Sequence, residues 1–297
     1  MMRVKAHPYL LLTLTALFWA GNFVIGRAMK SSIPPISLAF WRWALALIIL
    51  LPFSIPHLCA EWPVLRRNWR WLTLFGILGV ACFNTFVYIG LHTTTATNAL
   101  IINSAIPVLI VLLSRLLAST PVSGKQAIGI ALSLSGVLTI ICRASLDVIL
   151  NLEINSGDAW ILLAVFCWAF YTFLLRHRPA ELHPLSFLTS IVAIGLLPLS
   201  LLYAWKLSQG ESFVLNPANI TCLLYVGLFP SVLAFIFWNQ SVRIVGPNKA
   251  GLFLYLMPVF GTILSIIFLG ETFHLFQLTG IGMIFSGIWL TTATSRV

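Results

Sequence analysis

The sequence predicts an all-α polytopic membrane protein, with ten transmembrane helices as an inverted 5+5 repeat. Three observations carry this expectation. Of 297 residues, 60% are hydrophobic and only 8% charged, where a soluble domain carries about a quarter charged residues to cover itself in water. Apolar runs of about 20 residues, the length that crosses a bilayer core, recur from end to end. The two halves of the chain also align on each other at a nearly constant offset.

Ten segments fit the required length, at 9–29, 36–56, 70–90, 96–118, 125–142, 158–177, 184–205, 220–240, 248–269 and 275–294. The first follows a basic start, MMRVKAH. Its apolar run is too long for a signal-peptide core and has no convincing cleavage site, so it reads as a span. The second carries Arg42 a few residues into its apolar run. An arginine at the centre of a span costs about 2.5–3.5 kcal/mol on insertion scales. Arg42 therefore either snorkels from a span end or faces a polar cavity or a partner helix. The fifth span is short and rich in Ser and Gly, and the longest connection runs over 143–157.

Loop charges orient these spans. With the N-terminus inside, twelve of the 17 basic residues lie on the inner side: Arg3, Lys5, Arg66, Arg67, Arg70, Arg115, Lys125, Arg176, Arg178, Arg243, Lys249 and Arg296. Arg27, Lys30, Arg42, Arg143 and Lys206 fall outside, with most of the acidic residues, Asp158 among them. Both termini are thereby expected in the cytoplasm. The net charge of +10 is scattered between apolar runs, which fits topology signals and not a nucleic-acid-binding patch. The five cysteines are isolated, with no metal-ligand spacing, and no hydrolase, P-loop or dinucleotide motif occurs. No metal, cofactor or enzymatic activity is expected.

The internal alignment is the most informative feature. An offset of 149 residues places Trp19-Ala20 on Trp168-Ala169, Arg27 on Arg176, Pro35 on Pro184 and Ser37 on Ser186. An offset of 151 places Gly76 on Gly227, Ala99 on Ala250, Pro107 on Pro258, Gly129 on Gly280 and Ser135-Gly136 on Ser286-Gly287. One two-residue gap carries the register through both halves. Five spans is an odd number, so the second half (146–297) must insert opposite to the first (1–145). The result is an inverted repeat about a pseudo-two-fold axis in the membrane plane, an architecture suited to alternating access.

Candidate substrate contacts sit at related positions. Trp19 and Asn22 share a face of the first span, and Trp168 and Tyr171 occupy the matching positions of the sixth. Asn84 and Tyr88 share a face of the third span, mirrored by Trp238 and Asn239 on the eighth. The fourth span carries Asn103 and the ninth Tyr255. The deep aromatics either line a cavity or pack between helices. The asparagines either meet substrate or bond neighbouring helices. Pro107 and Pro258 break backbone bonds at matching depths, as hinges or as tolerated kinks. The small-residue faces around Gly129 and Gly136, and around Gly280 and Gly287, would pair with each other or with another subunit.

The stretches LFWAGNFVIGRAM, PPISLAFWRWALA, TNALIINSAIPVLIVLLS and KAGLFLYLMPVFGTILSIIFLGE resemble EamA-type members of the drug/metabolite transporter superfamily. The resemblance covers nearly the whole chain. It implies a bacterial inner-membrane protein exporting small metabolites or amino acids. It also implies a central cavity among spans one to four and six to nine, with five and ten peripheral. By that likeness Trp19, Asn22 and Arg42 match the first motif region and Glu271 the LGE signature. Two departures stand out: Thr120 replaces an acidic residue, and the second-half counterpart of Arg42 is Ile191.

The expected function is a secondary transporter of small amino-acid-like metabolites, lodged in the lipid bilayer, with Arg42 near the outer mouth to meet a carboxylate. A nucleotide-sugar or phosphorylated-metabolite exchanger is the alternative. It would need several basic residues facing the cavity, where the sequence offers only Arg42. A membrane scaffold or receptor without turnover is the alternative from another class.

Overall fold

In lipid an unclosed chain can satisfy its backbone only as helix, and the structure is built accordingly. A computed structural model describes residues 7–29, 32–94, 96–153, 155–269 and 272–293, and no strand occurs among them. Glu271 and the basic residues Arg3, Lys5, Lys30 and Arg296 lie outside the described residues.

Helix α1 spans Pro8–Ala28 and α2 Pro35–Ala60, followed by a short α3 (Trp62–Arg67) and α4 (Trp69–Phe75). A π-helical turn over Gly76–Cys82 leads into α5 (Phe83–Thr93). Next come α6 (Ala96–Asn103), α7 (Ile106–Ala118), α8 (Gly124–Ile141) and the short α9 (Leu146–Leu150). The second half begins with α10 (Ser156–Leu174) and α11 (Pro184–Ser208). Helix α12 (Pro217–Val226) runs through a second π-helical turn, Gly227–Leu233, into α13 (Ala234–Val245). The chain closes with α14 (Pro247–Leu252), α15 (Leu256–Leu269) and α16 (Leu275–Ala293). Among the described residues nine helical stretches are long and apolar enough to cross a membrane. The first expected span coincides with the 21-residue α1.

Several expectations are refined. The fourth span is broken at Ser104–Ala105 and the ninth by a 3-10 turn at Phe253–Tyr255. Pro107 and Pro258 follow these breaks, where a missing N–H costs nothing because the preceding turn has already opened. The connections 57–69 and 143–157 contain α3 and α9, so they are partly helical.

Packing follows the offsets of the sequence. The two π-helical turns lie 151 residues apart. A Cβ on Gly76 would meet the Ile191 carbonyl at 2.7 Å, while one on Gly227 would meet Leu45 Cβ at 3.0 Å and lie 3.6 Å from the Arg42 carbonyl. Helix α1 packs on α13 and α15, and α10 correspondingly on α5 and α7, so each half wraps its first helix in the other. Helices α2 and α11 run antiparallel: His57 stacks on His183 at 4.0 Å at one end, and Trp41 donates its indole N–H to Tyr203 at 3.1 Å at the other. These contacts define two ends of the molecule, the α1–α2 end and the α2–α3 end.

The small-residue faces meet each other. A Cβ on Gly136 would lie 2.6 Å from the Gly280 carbonyl, and one on Gly287 would lie 2.3 Å from the Gly129 carbonyl. Only glycine permits this approach of α8 to α16. Gly280→Val is expected to force the helices apart and cost about 1–3 kcal/mol, as overpacking does. Gly282→Val on the same helix meets nothing within 4 Å and serves as the control. Thermal unfolding midpoints in detergent would separate the two variants.

Candidate functional site

The site begins with a backbone defect. Pro230 lacks the N–H that would bond the Val226 carbonyl in an α-helix, and the chain takes a π-helical turn there. The Ser231 hydroxyl donates to that carbonyl at 2.7 Å instead. Ser231 Oγ in turn accepts from Arg42 Nε at 2.9 Å. The other half supplies the remaining partners of the guanidinium: Arg42 Nη1 donates to Asn84 Oδ1 at 2.9 Å and to the Tyr88 hydroxyl at 3.3 Å. Asn84 and Tyr88, one turn apart on α5, thus meet one ligand from one face, as their spacing predicts.

Arg42 is only 2% exposed, so it does not snorkel. It stands 5.1 Å from the Trp43 ring centroid. Among the described residues no carboxylate lies within ion-pair distance of it. A buried cation held by neutral acceptors alone is costly, because such acceptors replace water without neutralising the charge. Asn84 Nδ2 beside it has no partner among the described residues. The cluster thus offers both an unneutralised cation and a free amide donor, a pair that suits a carboxylate.

Next to this cluster is an aromatic plug. Trp19 and Trp168 meet edge to face with centroids 5.1 Å apart and planes at 85°. Trp238 closes on Trp19 at 5.3 Å, and Phe235 lies within 6.0 Å of Trp19 and 5.5 Å of Trp168. The Trp19 indole N–H donates to the Pro230 carbonyl at 3.0 Å, tying the plug to the π-helical turn. Trp238 Nε1 is buried without a partner among the described residues. Trp168 also stacks on Tyr171 at 5.1 Å, whose hydroxyl donates to Asn239 Oδ1 at 2.7 Å. The amide Nδ2 of Asn239 is buried without a partner among the described residues.

The structure therefore brings together Arg42, Asn84 and Tyr88 in one cluster, and Trp19, Trp168, Tyr171, Trp238 and Asn239 in an adjoining one. Asn22 is half-buried on α1, Asn103 ends α6, and Tyr255 is buried in its 3-10 turn. No hydrogen bond or ring contact among the described residues joins these three to either cluster.

Sequence reasoning missed two features. Asp158 reads as an outer-side charge but is only 7% exposed in the first turn of α10. It accepts from the Thr94 hydroxyl, from the Asn155 backbone N–H at 2.9 Å and from Asn98 Nδ2 at 3.3 Å. The signal was present as Asn155-x-x-Asp158 ahead of an apolar run, the spacing of a capping box. Arg178, counted as an inner topology charge, is also buried, at 5% exposure.

Known proteins share the sequence pattern and the fold of this chain. The profile of the EamA-like transporter family matches residues 7–142 and again 155–293. An uncharacterized transporter of Bacillus subtilis (strain 168), YyaM, is 29% identical over 290 residues, covering 97% of this chain and 94% of that one. An uncharacterized transporter of Archaeoglobus fulgidus is 28% identical, covering 98% and 99% of the two chains. One solved crystal structure superposes with a TM-score of 0.80 at 17% identity, over 97% of this chain and 98% of that chain, and so shares the fold.

Ser231→Ala would strip Arg42 Nε of its acceptor and the Val226 carbonyl of its side-chain donor. A destabilisation of about 1–3 kcal/mol is expected, read as a lower unfolding midpoint in detergent. Ser231→Thr keeps the hydroxyl and should restore most of the loss.

Proposed function

We propose, from the premise that the chain belongs to the EamA-like transporter family, that it exports small amino-acid-like metabolites by alternating access. That it is a multi-pass membrane transporter follows from the family. The substrate class and the mechanism are our reading. The observation that carries the substrate class is Arg42, buried, charged and without an acidic partner among the described residues. A substrate carboxylate would supply the missing negative charge, with the Asn84 amide and the Tyr88 hydroxyl as further contacts.

The mechanism is supported by how related features recur. The family profile matches twice, the π-helical turns lie 151 residues apart, and the Gly129–Gly287 approach reappears as Gly136–Gly280 with the two halves exchanged. These support two repeats, 1–145 and 146–297, related by a two-fold axis passing between Trp19 and Trp168. The same reading takes ten transmembrane helices, with α6–α7 and α14–α15 each forming one broken span. Pro107 and Pro258, just past those breaks, would be the hinges. In a bacterial inner membrane with both termini cytoplasmic, the α1–α2 end faces out and the α2–α3 end faces in. Trp19, Trp168, Trp238 and Tyr171 then separate the two aqueous approaches, and substrate passes as they part. Asn22, Asn103 and Tyr255 would join the pathway when the halves move.

A phosphorylated-metabolite exchanger is the second reading. The presence of Arg178 and Arg243 at the α2–α3 end favours it over the sequence-based expectation of a single available arginine.

Flux of a pooled, labelled amino-acid mixture in proteoliposomes, with and without a pH gradient, tests the proposal. Saturable flux is expected. Arg42→Gln should weaken apparent affinity by about 10–100-fold, the worth of one charged hydrogen bond. Trp168→Ala should reduce flux at unchanged folded yield. Normal transport by both variants would remove these residues from the pathway, and absence of flux for every amino acid would overturn the substrate class.

A further inference from the structure

A second cationic site lies at the α2–α3 end, remote from Arg42. Arg42 and His57 are fifteen residues apart on α2, about 22 Å along the helix, and His57 stacks on His183 beside this site. A cavity of about 320 Å³ opens there, lined by Arg178, Pro184, Gln240, Arg243 and Ile244. Pockets for small ligands begin at about this size.

Arg178 sits in the connection between α10 and α11 and is 5% exposed. Its Nη2 donates to the Leu182 carbonyl at 3.1 Å, and its guanidinium lies 4.5 Å from the Phe187 ring centroid. Its buried Nε has no partner among the described residues. Burial first, and the neighbouring Arg243 second, lower its pKa to about 10, which leaves it charged at neutral pH. Glu61 is the acidic group nearby, and both its carboxylate oxygens already accept from the His183 backbone N–H at 3.1 Å. Burial, and then His57, depress the His183 imidazole below its usual value, which favours its neutral form. Glu181, on the same connection as Arg178, is held by Arg67 at 2.8 Å, and among the described residues no carboxylate lies within ion-pair distance of Arg178 or Arg243.

One wall of the cavity, α13, continues toward the aromatic plug. Arg243 and Asn239 are four residues apart on one face of α13, about 6 Å along the axis. Asn239 has its Nδ2 without a partner among the described residues and accepts at Oδ1 from the hydroxyl of Tyr171, whose ring stacks on Trp168. A ligand at the two arginines would therefore stand one helical turn from the aromatic plug.

We propose that this cavity is an oxyanion-binding vestibule in which Arg178 and Arg243 capture the carboxylate or phosphate of a small soluble metabolite. The planar guanidinium fork suits both groups. The Asn239–Tyr171 pair is the next station inward. The proposal rests on the transporter reading for the direction of traffic, and the binding itself is an equilibrium property.

The test uses the full chain in phosphatidylcholine nanodiscs, titrated with inorganic phosphate and with succinate at constant ionic strength and followed by tryptophan fluorescence. Saturable binding of at least one probe is expected. Arg243→Gln, at an exposed position that tolerates the change, should weaken it at least tenfold, and so should Arg178→Lys. Lys206→Gln, at the opposite end, should leave it unchanged. No saturable response, equal binding by every variant, or loss of binding when phosphatidylglycerol replaces a third of the lipid would overturn the proposal. The last of these outcomes assigns the cavity to a lipid headgroup. Binding that persists while flux fails would overturn the transport reading alone.

Discussion

A guanidinium removed from water at membrane depth must be met by oriented dipoles or by an opposite charge, and much of this molecule answers that demand for Arg42. The dipoles come from two different halves: Asn84 and Tyr88 from α5, and Ser231 from the π-helical turn ahead of α13. None of the three would reach the guanidinium if α2 were not held between those elements. The glycines at 76 and 195 allow that seating by letting α11 lie against the first π-helical turn, and α11 packs along α2 in turn. The neutral partners keep the charge without cancelling it, which is why our proposal gives Arg42 the substrate carboxylate.

Around this point a nearly symmetric scaffold carries asymmetric chemistry. Trp19 and Trp168, counterparts at an offset of 149 residues, touch with ring centroids 5.1 Å apart, and the two-fold axis of our proposal runs between them. Their surroundings differ. Position 42 is arginine and its counterpart Ile191, while position 84 is asparagine and its counterpart Phe235. The buried cation on the second side is Arg178, whose counterpart is Met29. In our proposal the two ends of the pathway are both cationic but are built from unrelated positions. Such a pathway can exchange conformations between its halves while presenting a different affinity to each face of the membrane.

Much of the fold was legible in the sequence, because composition and offset are global signals that single errors do not erase. The helical spans follow from apolar runs, and the small-residue faces of α8 and α16 stand out in the sequence, which left open whether they pair with each other or with another subunit. The proximity of Asn84 and Tyr88 to a common ligand followed from helical spacing alone. What could not be read was tertiary. Arg178 looks like any topology charge until the Phe187 ring and the Leu182 carbonyl are seen to enclose it. Asp158 looks like a loop carboxylate until Thr94 and Asn98 from the first half close over it. The π-helical turns have only weak local signatures, a proline in one and none in the other. Their consequence, a hydroxyl relayed from Val226 to Arg42, exists only in three dimensions.

In our proposal the Trp19–Trp168 contact divides two approaches that open in turn. Double electron–electron resonance on a cysteine-free background tests it most directly, with one spin-label pair at Ser32 and Gln209 and another at Arg66 and Ile244. Two distance populations are expected for each pair, with substrate or lipid conditions that lengthen one pair shortening the other. Single, unchanging distributions at both ends, in a preparation that still transports, would contradict it.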